Sequence, residues 1–291
     1  MLEISKLSFP GLGIGEFEVN SVAFSIFGVP IAWYALIITC GMICAVLYTM
    51  YRSVKIGIVV DDILDYALVV IPLGIIGARL YYVLTSLDKY NSFWDVLDIR
   101  QGGLAIYGGI IAGAIAVIAV SYFKKINFFA MADCCTPGII LAQAIGRWGN
   151  FMNGEAFGGE FSGFLRMGVQ NDVSEEKFRT LEMVYVHPTF LYESLWNVLG
   201  FILINIFYKH KKYDGQIFLM VFGWYGLGRM FIEGLRADSL WVSIFGWDFR
   251  ISQILAGAIF ITCASLLIYF AFKKPQKEFY VKPPKEVKNG K

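Results

Sequence analysis

Apolar residues along this chain do not alternate with polar ones; they run in blocks. Seven stretches near twenty residues stay almost wholly hydrophobic: about Ile31–Tyr51, Ile63–Leu84, Leu104–Phe123, Phe128–Ile145, Thr189–Tyr208, Gln216–Ile232 and Ile251–Phe272. A helix of about twenty such residues spans a bilayer core, so the pattern predicts an all-α polytopic membrane protein with seven transmembrane helices. Basic residues recur at every second junction: Arg52 and Lys55, Lys124 and Lys125, Lys209 with Lys211 and Lys212, then Lys273 and Lys274. Short loops rich in Lys and Arg stay in the cytoplasm, which predicts an N-terminus outside and a C-terminus inside. The other junctions are mixed in sign, as in Asp88, Lys89, Asp95, Asp98 and Arg100.

On this pattern residues 1–272 are expected to form one membrane domain, with residues 147–187 as a small extracytoplasmic cap. Residues 273–291 are basic and poor in apolar groups, and are expected to be a disordered cytoplasmic tail. Composition agrees. Of 291 residues 57% are hydrophobic and 16% charged, with a mean hydropathy of +0.60, where a soluble domain carries about a quarter charged residues. The first thirty residues lack a basic start followed by an apolar core, so no cleavable signal peptide is expected. The five cysteines fall inside predicted spans without a CxxC pair, and read as small core residues. No His, Cys and carboxylate set has ligand spacing, so neither a metal nor a cofactor is expected.

The topology gives each intramembrane polar residue a depth. Tyr34, Arg79, Tyr107, Gln143, Arg147, His187, Tyr192, Glu193, Arg229, Glu233 and Arg236 all fall at outer ends of spans. An Arg in hydrocarbon costs at least about 2.5–3.5 kcal/mol, so several need compensation. Glu155, Glu193 and Glu233 offset part of it. The remaining cationic surplus suits a phosphate, which Arg grips bidentately, and a lipid head group presents one at this depth. Asp65 and Asp133 belong to inner halves and read as helix-start residues that complement the dipole.

The stretch "GRWGNFMNGEAFG" places Arg147, Asn150, Asn153, Glu155 and Gly158 together. Its glycines let backbone approach a ligand closely, and its amides and Glu155 are suited to orient the guanidinium. "QGGLAIYGGIIAG" opens the third span with Gly109 and Gly113 as a GxxxG packing face, and Tyr107 is expected to face the cationic cluster. "HPTFLYESLWN" sets His187 at the mouth of that cluster.

These stretches, with "AWYAL", "GARLYYV" and "YGLGRMFIEGLR", resemble bacterial prolipoprotein diacylglyceryl transferases over nearly the whole chain. "GRWGNFMNGEAFG" fits the family pattern at every fixed position. The resemblance implies transfer of the diacylglyceryl group of phosphatidylglycerol to the lipobox cysteine of a preprolipoprotein, forming a thioether and releasing glycerol phosphate. It implies as partners phosphatidylglycerol, lipobox signal peptides and membrane lipid, with no nucleic acid, in a bacterial cytoplasmic (inner) membrane. Tyr34, Arg147, Asn150, Gly158 and Arg229 fall on family-critical positions, supported by Asn153, Glu155, Glu233 and Arg236. Arg147 and Arg229 are expected on the phosphate, with Arg79 and Arg236 guiding the head group. The family commonly has a histidine where this chain has Tyr107, which leaves Tyr107, His187 or no side chain at all as the base. Two other classes stay open: a transporter for an anionic solute and a non-catalytic lipid-binding homologue.

Overall fold

The computed structural model describes residues 4–90, 92–97, 102–237, 241–244, 247–273 and 279–281. Asp98, Arg100, Lys274 and most of the predicted tail lie outside the described residues. The chain opens with four strands, β1 (Ile4–Phe9), β2 (Ile14–Asn20), β3 (Val22–Ile26) and β4 (Val29–Ala32). Helices α1 (Trp33–Ser53), α2 (Val60–Thr85), α3 (Phe93–Leu97), α4 (Ile106–Lys124) and α5 (Phe128–Met152) follow. Then come β5 (Met167–Gln170), α6 (Asp172–Phe178), β6 (Val184–Val186), α7 (Thr189–Phe207) and α8 (Gln216–Ile232). The hairpin β7 (Trp241–Ile244) and β8 (Trp247–Arg250) leads into α9 (Ile251–Phe272).

The predicted class holds: this is a helical, multi-pass membrane protein. Among the described residues six helical segments, Trp33–Ile56, Val60–Thr85, Ile106–Lys124, Phe128–Met152, Thr189–His210 and Ile251–Phe272, are long and apolar enough to cross a membrane. The remaining predicted span is α8. Its 17 residues measure about 26 Å, a little less than a bilayer core of about 30 Å. It stops because the chain tightens into a 3-10 turn at Glu233–Leu235, which holds Glu233 and Arg236 close to the helix end.

Two compact units divide the chain, one of residues up to Leu47 and from Cys135 through α9, the other of Tyr48–Cys134 with residues 279–281. In the first, β2-β1-β5-β6 form an antiparallel sheet, so the cap recruits the N-terminal strands. Its core of Leu7, Val19, Phe157, Met167, Val169 and Val186 packs on Phe190 of α7 and on Phe151 and Met152 of α5. Below it, Ile140 of α5 meets Ile204 of α7 and Ile217 and Val221 of α8.

In the second unit α2 and α4 approach backbone to backbone. A Cβ on Gly77 would lie 2.2 Å from that of Ala112, and one on Gly108 would lie 2.2 Å from the Gly77 carbonyl. The glycine face is therefore real, but Gly108 carries it more than Gly113, whose nearest neighbour is 3.9 Å away. At the far end Lys124 bridges Asp62 at 2.9 Å and Asp65 at 2.5 Å. Asp65 is thus structural, through an interhelical ion pair.

Candidate functional site

In the first unit four helix ends meet beside the sheet: α1 and α7 begin there, α5 and α8 finish there. The helix of α5 runs on to Met152, past the predicted end at Ile145, so Arg147 and Asn150 project from a rigid turn and not from a loop. Gly149 in that turn makes room for Tyr34, whose Cδ2 would stand 2.9 Å from an added Cβ.

Glu193 of α7 is the hub. Its Oε2 pairs with Arg147 Nη2 at 2.8 Å, and its Oε1 takes Arg229 Nη1 at 3.3 Å and Arg236 Nη1 at 3.2 Å. Arg229 Nη2 also reaches Glu233 Oε2 at 2.7 Å, and Arg236 Nε lies 3.9 Å from the same oxygen. Arg250 donates to the Glu233 backbone carbonyl. Among the described residues Glu155 touches no arginine. It accepts from the amides of Asn150 at 3.0 Å and Asn153 at 3.3 Å, and Asn150 Oδ1 in turn accepts from Arg147 Nη1 at 3.3 Å.

The balance of this network matters. Glu193 and Glu233 are almost fully buried, and a buried carboxylate survives only when paired and hydrogen-bonded. In direct ion pairs Arg147, Arg229 and Arg236 share the carboxylates of Glu193 and Glu233, three cations to two anions, while Glu155 reaches Arg147 only through Asn150. A guanidinium has five N–H donors, and the contacts above take only part of those on Arg147 and Arg229. The network therefore retains charge and donors for an anion.

Gly158 acts through the backbone. Its N–H donates to the His187 carbonyl at 2.9 Å and it bridges to Arg236, while Gly159 N–H donates to the Leu235 carbonyl at 2.9 Å. A Cβ on Gly158 would stand 2.6 Å from His187 Cβ and 2.7 Å from the Leu235 oxygen. The glycine thus staples the start of α7 to the turn after α8, and so sets where Arg236 lies. His187 stacks on Phe161 at 3.9 Å with its Nδ1 3.4 Å from the Tyr192 hydroxyl. Burial holds its imidazole below the usual histidine range, so it is neutral at pH 7.

Arg79 and Tyr107 belong to the second unit. Arg79 spends its donors on backbone: Nε on Val96, Nη1 on Gly102 and Gly103, Nη2 on Asp95, at 2.8 to 3.0 Å. It clamps the segment ahead of α4, a role its place in the sequence did not suggest. Tyr107 stands near Tyr81, ring centroids 6.5 Å apart, and among the described residues its hydroxyl has no hydrogen-bond partner.

Beside the arginines a narrow cleft between α7 and α8, with about 10 Å³ of free space, is lined by Glu193, Trp196, Asn197, Tyr225, Arg229 and Ile232. Trp196, Asn197 and Tyr225 escaped the sequence reading. The signal available was their helical spacing from Glu193 and Arg229. Among the described residues no group of three His, Cys, Asp or Glu is placed to hold a metal ion.

Membrane-crossing helices that gather three half-buried guanidiniums at one end, on one buried carboxylate, define a membrane protein with a cationic site at its helix ends. A family model for prolipoprotein diacylglyceryl transferase matches residues 21–269. A phosphatidylglycerol–prolipoprotein diacylglyceryl transferase of Enterococcus faecalis is 40% identical over 266 residues, 90% of this chain and 94% of the relative. Its counterpart in Clostridioides difficile is 43% identical over 239 residues, 82% of this chain and 90% of the relative. The chain belongs to the prolipoprotein diacylglyceryl transferase family.

Proposed function

We propose that this protein moves the diacylglyceryl group of phosphatidylglycerol onto the lipobox cysteine of a preprolipoprotein, the first step of lipoprotein maturation. The observation that carries this is the arginine network: three guanidiniums converge on the single carboxylate of Glu193 beside a cleft. The cysteine sulfur attacks the glycerol methylene carbon, the bond from that carbon to the phosphate oxygen breaks, and glycerol phosphate departs. Charge accumulates on the leaving phosphate, where Arg147 and Arg229 stabilise it. Asn150, held by Glu155, fixes the plane of Arg147, and Tyr34 beside them reaches an oxygen of the lipid.

The thiol needs little help from a base, because even a small thiolate fraction is strongly nucleophilic. Its proton passes to water or a phosphate oxygen. A Tyr107 hydroxyl with no hydrogen-bond partner among the described residues and a His187 stacked on Phe161 support that assignment. The alternating Lys and Arg of the loops support an arrangement with the site on the extracytoplasmic side of a bacterial cytoplasmic membrane. The test is purified protein with phosphatidylglycerol and a lipobox peptide, followed by mass spectrometry. The peptide gains a diacylglyceryl mass, and Arg147→Ala abolishes the gain; a peptide left unmodified by the wild type overturns the proposal.

A further inference from the structure

The cleft between α7 and α8 is lined by an amide that makes no hydrogen bond to the described residues. Asn197 is only 5% exposed and lines the cleft, yet among the described residues its side chain meets no hydrogen-bond partner. Other polar groups of α7 do find partners: Ser194 donates to the Ala144 carbonyl, Asn205 to that of Phe201, and Trp196 to that of Trp224. An amide whose residue is almost wholly buried and which makes no bond to the protein keeps its donors for whatever enters the cleft. This one faces a space with room for a group the size of one oxygen.

Its position indicates what the ligand offers. Asn197 follows Glu193 by four residues, on the same face of α7 and about 6 Å further from the arginines along the axis. Helix α8 runs antiparallel, with Gly228 against Trp196 and Gly200 against Trp224, so Tyr225 also lies one turn beyond Arg229. The lining there is uncharged apart from Glu193 and Arg229 at the rim. A group that bears an oxygen but no charge, and continues into hydrocarbon, fits such a place. In a glycerophospholipid the acyl-ester carbonyls stand on the hydrocarbon side of the phosphate, one glycerol backbone away.

We propose that Asn197 donates its amide N–H to an acyl-ester carbonyl of the donor lipid whose phosphate lies on Arg147 and Arg229. This rests on the function proposed above, and makes Asn197 a substrate-binding residue that reads the ester linkage and sets the depth of the lipid.

The test compares ester-linked phosphatidylglycerol with a dialkyl ether analogue of the same head group and chain length, which lacks the carbonyls but keeps the bond that breaks. Wild-type kcat/KM for transfer to a lipobox peptide is expected to favour the ester by about three- to tenfold, the effect of one neutral hydrogen bond. Asn197→Ala is expected to fall to the ether value with the ester lipid and to lose the distinction. Because the amide is bare without ligand, the variant should melt no lower than wild type, where a structural amide would lower its Tm. Asn197→Ser, a shorter donor, should restore part of the preference and decides the matter if the alanine variant does not fold. A wild type indifferent to the swap, or an alanine variant that keeps the full preference, overturns the inference and leaves phosphatidylglycerol as donor. No transfer from either lipid by the wild type overturns the underlying function as well.

Discussion

Trp196 and Trp224 clasp each other: each indole N–H donates to the other residue's backbone carbonyl, at 3.1 and 3.0 Å, with the rings stacked 4.3 Å apart. Gly228 and Gly200 are the sockets, since a Cβ on either would stand 2.1 to 2.2 Å from the facing indole nitrogen. The clasp fixes the register of α7 against α8, and with it the meeting of Glu193 with Arg229. Trp224→Ala is expected to cost about 3–5 kcal/mol, as for a large aromatic removed from a packed site, and to lower transfer activity with it. Gly228→Ala, which adds one methyl, should produce the same loss of activity. Thermal unfolding in detergent beside the transfer assay checks both; full activity in Gly228→Ala would mean the clasp does not set the site.

Glu193 holds three guanidiniums, so its neutralisation is expected to be worse than that of any one arginine. Removing one partner of a buried ion pair costs about 3–5 kcal/mol through the charge left behind. Glu193→Gln should therefore be strongly destabilised, and millimolar glycerol phosphate or sulfate should raise its Tm more than that of the wild type. The combination Glu193→Gln with Arg236→Gln should recover part of the lost stability. An additive double variant would show that the two side chains do not interact.

The adjacent glycines Gly158 and Gly159 offer a matched pair. A Cβ on Gly158 collides with His187 and with the Leu235 carbonyl, while one on Gly159 meets nothing within 4 Å. Gly158→Ala is expected to displace Arg236 and reduce kcat/KM by at least about tenfold, a barrier change of about 1.4 kcal/mol, with Gly159→Ala close to wild type. Equal behaviour of the two would place the importance of Gly158 somewhere other than this contact.

Much of this was legible in the sequence, and the exceptions have physical reasons. Apolar runs mark membrane helices because lipid rewards uninterrupted hydrophobicity, and an intramembrane Arg or Glu advertises itself by its cost. The four-stranded sheet was hidden because its strands are three to seven residues long and β1 pairs with a strand about 160 positions later. Arg79 shows the limit of charge as a guide: a guanidinium is also the best available clamp for backbone carbonyls. Asn197 and Trp196 were hidden because neither carries a charge to mark its depth.

His187 gives the molecule a pH-dependent element. Burial lowers its pKa, so the folded protein takes up its proton less readily than the unfolded chain, whose histidine titrates near 6.5. Its contribution to stability is thus present above that pH and is lost as the pH falls from about 6.5 through the lower folded value. His187→Asn should melt with less change between pH 7.5 and 5.5 than the wild type, as read by unfolding scans in the same detergent. A variant with the wild-type pH slope would assign the acid sensitivity to another group.

Tyr107 decides whether a side-chain base is needed at all. It stands on α4 where its hydroxyl has no hydrogen-bond partner among the described residues, so no neighbour there aligns it or relays its proton. A phenol is a weak base at neutral pH unless nearby charge lowers its pKa of about 10. Tyr107→Phe keeps the ring and its contact with Tyr81 and removes only the oxygen. Its expected turnover is within about threefold of wild type, since general-base catalysis is worth about a hundredfold or more where it operates. Tyr107→His puts an imidazole at the same place and should be tolerated equally well. A fall of a hundredfold in Tyr107→Phe, with the histidine variant active, would instead identify position 107 as the proton acceptor and return the thiol's activation to a side chain.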